Sequence, residues 1–222
     1  MCDACPRLRA YCRRIAEVKK AAHRGDTYWA RPVPGFGDPQ ARLLLVGLAP
    51  AAHGANRTGR VFTGDGAGGS GDFLMRALQR NGFANQATSH AADDGLQLQD
   101  AYILSVVRCA PPDNKPTPDE IARCRPHLTA ELAALPRVRV VVALGKIGFD
   151  GYLAHLAALD PAARLRPRPA FAHGCQVALP VGPPVLLGAY HPSRQNTNTG
   201  KLTAPMLESV FRRARTIIDS AP

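Results

Sequence analysis

The chain has 222 residues, in which 28 Lys and Arg outnumber 17 Asp and Glu to give a formal net charge of +11. That length fits one α/β domain over residues 1–222, and the basic excess makes nucleic acid the first partner to test, although an Arg- and Ala-rich composition is the plainer explanation. No apolar run approaches the ~20 residues of a membrane span and no apolar signal region follows the first charges, so a cytoplasmic, monomeric protein with no membrane partner is expected.

Pro6 opens a basic stretch with Leu8, Tyr11, Ile15 and Val18 at helical spacing, predicting a first helix that ends near His23, with Cys2 and Cys5 just before it. Residues 43–46 form a continuous apolar run, as in a buried parallel strand, which stops at Gly47. From Leu48 to Gly69 the chain is polar and Gly-rich without periodicity, the pattern of a functional loop after a strand. Ser70 can cap a helix through Phe73, Leu74, Ala77 and Leu78 that Gly82 would end. A second strand is predicted over 101–107, and Thr117, Pro118 and Glu120 supply a capping box and a first-turn proline for the next helix. A third strand over 139–144 precedes a helix through Ile147, Phe149, Leu153 and Leu156; a fourth strand over 185–189 precedes His191, and Thr203 caps a last helix. Strands alternating with helices predict a mostly parallel sheet with its site at the carboxyl ends of the strands.

Six cysteines in a cytosolic chain point to metal or cluster ligation over disulfides. Cys2 and Cys5 form a C-x-x-C pair, and fourteen residues separate Cys109 from Cys124. Four thiolates in two groups can close a site for tetrahedral zinc or for an iron-sulfur cluster, and spacing does not choose between them. Cys12 and Cys175 read as small buried or half-buried residues.

Three post-strand segments, 47–65, 108–116 and 191–200, would converge at the sheet's carboxyl edge. The first offers the small residues of 47–51 for close backbone approach, then His53, Asn56, Arg57, Arg60, Phe62 and Asp65. The second holds Asn114 and Lys115. The third holds His191, Ser193, Arg194 and Asn196, with Lys201 just beyond, a donor-rich set suited to phosphates. Singly, Asp65 reads as a turn, Asn114 as an Asx turn and His191 as a strand-end polar group. Together, an aromatic ring to stack a base, an amide for its edge, a carboxylate for water and basic loops for the backbone make a toolkit for an extruded nucleotide.

The segments Gly47-Leu48-Ala49-Pro50-Ala51-Ala52-His53-Gly54, Asn56 to Asp65, Arg108 to Pro112 with Asn114 to Thr117, and His191 to Asn196 resemble the family 5 uracil-DNA glycosylases, and the similarity runs from Cys2 to the final helix. The resemblance implies a three-layer α/β/α fold with a central four-stranded parallel sheet and a [4Fe-4S] cluster on Cys2, Cys5, Cys109 and Cys124. It also implies monofunctional hydrolysis of the N-glycosidic bond of uracil and other deaminated bases, such as hypoxanthine, in damaged single- or double-stranded DNA. Asp65, Asn114 and His191 would be catalytic; Gly47, Ala49, Ala51 and Phe62 would receive the base; Arg57, Lys115, Ser193, Arg194, Asn196 and Lys201 would meet DNA. Where the wider superfamily often carries a water-activating polar residue, this chain has Leu48 and Ala49, so Asp65 or Asn114 must replace it. The rival readings are a mismatch-directed thymine or uracil glycosylase, which would place an asparagine at position 49, and a non-catalytic cluster-bearing DNA-binding module.

Overall fold

The computed structural model describes residues 2–181 and 185–220. Helix α1 spans Pro6–Val18 and is followed by strand β1, Phe36–Gly37. Strand β2 is Leu43–Gly47, α2 is Ala55–Thr58, α3 is Ser70–Arg80 and β3 is Ala101–Ser105. Then come α4 at Pro118–Ala133, β4 at Val140–Leu144 and α5 at Lys146–Leu159. Strands β5 (Gln176–Ala178) and β6 (Val185–Ala189), short helix α6 (Arg194–Asn198) and α7 (Ala204–Ser220) complete the chain.

Every residue of β2 and β4 is buried, because helices cover both faces of the sheet and alternate side chains enter two cores. Leu43, Leu45, Val140 and Val142 pack with α3 and α7, whereas Leu44, Val46, Val141 and Ala143 pack with α1, α4 and α5. This is the expected three-layer α/β/α arrangement.

The sheet itself differs from the expected one. It has six strands in the order β1-β3-β2-β4-β6-β5; the inner four are parallel and both edges are antiparallel, so the sheet is mixed. Two- and three-residue edge strands are too short to show a period in sequence. Two helix boundaries shift as well. The first helix stops at Val18, where Lys19 takes a positive φ of 52°, and a 3₁₀ turn covers Ala21–His23. Gly69, not Ser70, is the N-cap of α3.

Connections leave β2 and β4 in opposite directions: β2 runs through α2 and α3 to β3 on one side, and β4 through α5 to β6 on the other. A parallel sheet opens a crevice where adjacent strands part company in this way, outside their carboxyl ends.

Candidate active site

A cleft of about 830 Å³ occupies that position, within the range of small-ligand pockets. Leu48, Ala49 and Ala51 from the β2 loop line it, together with Phe62, Asp65 and Asn114, and His191 stands on the wall beyond β6. The three segments singled out in the sequence therefore converge.

Phe62 sits at the strand end because residue 47 has no side chain. A Cβ on Gly47 would come within 2.9 Å of the Phe62 ring. Phe62 itself takes a left-handed φ of 54°, an unusual state for a bulky residue. Its ring lies 5.8 Å from that of His191, tilted by 32°. Gly145 makes similar room on the other side, where a Cβ would meet His191 Cβ at 3.2 Å.

The β2 loop leaves backbone donors free beside the cleft. The carbonyls of Gly47, Leu48 and Ala51 accept from Val106, Val107 and Asn56, whereas among the described residues the N–H groups of Ala49 and Ala51 have no internal partner. No partner is found for the His191 ring nitrogens either, among the described residues, and burial pushes its pKa down to about 4, so the ring is neutral near pH 7. Its carbonyl accepts from Asn196 Nδ2 at 2.8 Å, which ties the strand end to α6.

Asp65 is ionised. Burial alone would raise its pKa, but hydrogen bonds from Lys20 and His23 outweigh burial and hold it below the ordinary carboxylate range. Lys20 Nζ lies 2.7 Å from Oδ2 and His23 Nε2 2.8 Å from Oδ1, so each oxygen already accepts one bond. Asn114 is exposed at the cleft rim, in a 3₁₀ turn where Asp113 and Asn114 both have positive φ. The turn is pinned to α1: Arg7 Nη2 donates to the Lys115 carbonyl at 3.1 Å and to Glu120 Oε2 at 2.7 Å, and Glu120 closes the capping box with Thr117.

The expected DNA-contacting residues divide. Lys115 and Arg194 are exposed, and Lys201 reaches the cleft over the Tyr190 ring at 5.2 Å. Ser193 caps α6 by accepting from the Asn196 amide. Arg57 is mostly buried: its guanidinium bonds Asp26 at 2.8 Å and the His53 carbonyl at 3.0 Å, with 12% of its side chain exposed, and it braces the loop. Sequence reasoning missed Ser105 at the end of β3 and the 145–148 turn after β4, both of which line the cleft. The signal was present, since every carboxyl strand end faces the crevice and the β4 end was not counted.

Cys2, Cys5, Cys109 and Cys124 line one separate cavity beneath α1, with Arg9, Arg108 and Arg123 on its walls. Burial pushes the Cys124 thiol up to about 11 and raises Cys5. Among the described residues no three His, Cys, Asp or Glu side chains gather about a single point that would hold one metal ion. Cys12 is fully buried beside this cavity, its thiol toward the Ala110 carbonyl at 3.6 Å, and Cys175 is half-buried.

The sequence matches the uracil DNA glycosylase superfamily over residues 34–215. A type-5 uracil-DNA glycosylase of Thermus thermophilus is 49% identical over 96% of this chain and 92% of that protein. One from Pyrobaculum aerophilum is 44% identical over 96% of this chain and 87% of its own, whereas a type-4 enzyme of Archaeoglobus fulgidus is 34% identical over 51% of this chain and 48% of its own. The chain belongs to the type-5 uracil-DNA glycosylase family of that superfamily.

Proposed function

We propose that this chain is a base-excision repair glycosylase that hydrolyses the N-glycosidic bond of uracil, and of other deaminated bases including hypoxanthine, in damaged DNA. One observation carries the reading: a neutral His191, an ionised Asp65, Asn114, and Ala49 and Ala51 with unpaired N–H groups all line one cleft beside the Phe62 ring. Cleavage of a deoxynucleoside develops positive charge on the sugar and negative charge on the departing base, and preorganised groups of opposite sign lower that barrier.

The flipped base stacks against Phe62 and its carbonyls receive the N–H groups of Ala49 and Ala51. His191 donates a neutral N–H toward the base oxygen, so no proton need be released first. Asp65 faces the sugar and orients the attacking water, with Asn114 as its second contact. Because Lys20 and His23 keep the carboxylate ionised, its field stabilises the sugar cation more than its basicity helps the water. Lys115, Ser193, Arg194, Asn196 and Lys201 flank the cleft as phosphate contacts. No covalent enzyme intermediate is required. The protein acts as a monomer in the cytoplasm; among the described residues no helix is long and apolar enough to cross a membrane.

Cys2, Cys5, Cys109 and Cys124, which line one cavity beneath α1, would be the ligands of a [4Fe-4S] cluster. Four thiolate donors are the ligand set of a cubane, in which each iron would take one of them. Such a cluster would tie the segment that opens α1 to the loop that carries Asn114.

The test is a uracil-containing oligonucleotide incubated with the protein and then treated with alkali. Strand scission that depends on the alkali is the expected result. DNA binding without scission would favour a non-catalytic module.

A further inference from the structure

The superfamily match begins at residue 34, yet both partners of the Asp65 carboxylate come from before it. His23 has 13% of its side chain exposed and stands between two carboxylates: Nε2 lies 2.8 Å from Asp65 Oδ1, and Nδ1 lies 3.3 Å from Asp26 Oδ2. Asp26 in turn accepts from Arg57 Nη1 at 2.8 Å, and Lys20 occupies the second Asp65 oxygen. The result is a row of contacts, Arg57, Asp26, His23, Asp65 and Lys20, that ends at the cleft.

We infer that His23 is a positioning residue that fixes the Asp65 carboxylate in the cleft, with Asp26 and Arg57 holding His23 from behind. The inference rests on the reading of Asp65 as the group that faces the sugar and water. An aspartate turns broadly about its last torsion, so an unpartnered carboxylate would swing. Donors on both oxygens stop that motion. Of the two, Lys20 is the weaker guide: its side chain is 42% exposed on a flexible four-carbon stem. The His23 ring is rigid and stands between the Asp65 and Asp26 carboxylates, which confines its plane. A small displacement of a group that acts on the transition state lowers the rate steeply, so holding Asp65 is a kinetic matter.

A bare structural tether predicts something different. If His23 only ties its 3₁₀ turn to the loop, its loss destabilises the fold and leaves Asp65 as effective as before. The groups that face Asp65 are Lys20 and His23 from the N-terminal segment and Arg194, whose Nη2 donates to its carbonyl at 3.3 Å; Arg57, and His53 with its partner Tyr28, lie close by. Removing His23 removes one of the bonds that hold the carboxyl low, so Asp65 takes up its proton at higher pH.

The experiment is single-turnover cleavage of a uracil-containing duplex by the full chain, with DNA affinity and melting temperature measured alongside, for wild type, His23→Ala, His23→Gln, Asp65→Ala and the double variant His23→Ala with Asp65→Ala. We expect His23→Ala to slow cleavage about tenfold with DNA affinity within about twofold, and to add nothing once Asp65 is alanine, because residues in one network are not additive. The acid limb of its rate profile moves to higher pH. His23→Gln, which keeps a donor toward Asp65, recovers part of the rate and supplies the comparison should the alanine variant melt early. An unaltered rate in an active His23→Ala protein, or a full additional loss on top of Asp65→Ala, overturns the inference. A wild type that leaves uracil intact overturns the glycosylase reading as well.

Discussion

The rings of Phe62 and His191 stand 5.8 Å apart on one wall of the cleft, with the aromatic ring filling the space that Gly47 leaves. On the proposed reading, a base stacked on Phe62 would lie close to the His191 imidazole. His191→Ala should lower the single-turnover rate by about 10² to 10³-fold, as loss of an oxyanion donor does, with little change in DNA affinity. Since the ring stays neutral until about pH 4, the rate should not lose His191's contribution between about pH 8 and about pH 5. An inflection near pH 6.5 that vanishes in the alanine variant would contradict this.

Asp65→Ala should cost ~10² to 10⁴-fold in rate, the range of a positioned group acting on water, and Asn114→Ala should cost less. Both variants should be run on uracil and on hypoxanthine opposite the same partner base. Ala49 and Leu48 set only a weak shape penalty and leave no polar side chain unpaired against the wrong base, so the wild type should cleave both, slowly. Complete inactivity on hypoxanthine would remove the breadth and leave uracil excision standing.

The logarithm of DNA affinity should fall linearly with the logarithm of salt concentration, because lysines and arginines at phosphates release counterions. Arg194→Ala and Lys201→Ala should each weaken binding on every sequence and flatten the slope. Arg57→Ala should instead lower the melting temperature, because its partners are Asp26 and the His53 carbonyl. Titration of labelled duplex at two salt concentrations, with thermal melts, separates these outcomes.

Cys109→Ser and Cys124→Ser should reduce folded yield and iron content together, since apo thiols in this cavity are buried and poorly ionised. Iron approaching about four per chain is expected by elemental analysis. Cys12→Ser should also lose stability, because that thiol is fully buried beside the cavity, while Cys175→Ser should be mild.

Both ring nitrogens of His155 are buried on α5 and lack partners among the described residues, and burial, helped by Arg125, pushes its pKa down to about 4. The unfolded chain takes up this proton near about pH 6.5, and the folded chain only near pH 4. The stability from keeping it neutral is therefore complete above the higher value and lost as pH falls to the lower, roughly 3 kcal/mol in all. His155→Leu should flatten that acid slope in chemical denaturation. An unchanged slope would place the acid sensitivity elsewhere.

Much of this architecture is legible in the residues. The apolar run of β2, the capping box at Thr117 and Glu120, and the polar segments after the strands are local patterns, and local patterns survive in a string of letters. What escapes is whatever depends on contacts far along the chain. His23 and Asp65 are 42 positions apart and lie in irregular segments, so neither has a period or a cap to betray the other. Arg57 reads as a phosphate ligand because a guanidinium looks the same whether it meets DNA or Asp26. The Gly145 turn was hidden for a different reason: Lys146 and Ile147 resemble the ordinary start of a helix, and only the opposed connections of β2 and β4 show that this start faces the crevice.

Gly47 and Phe62 are one unit written in two places. A single methyl group at position 47 would come within 2.9 Å of the aromatic ring and force it to shift, moving the proposed stacking wall without touching any group that reacts. The two positions are thus coupled: an alanine at 47 fits most easily alongside a slimmer residue at 62, an exchange that would give up stacking surface for a wider, less discriminating mouth.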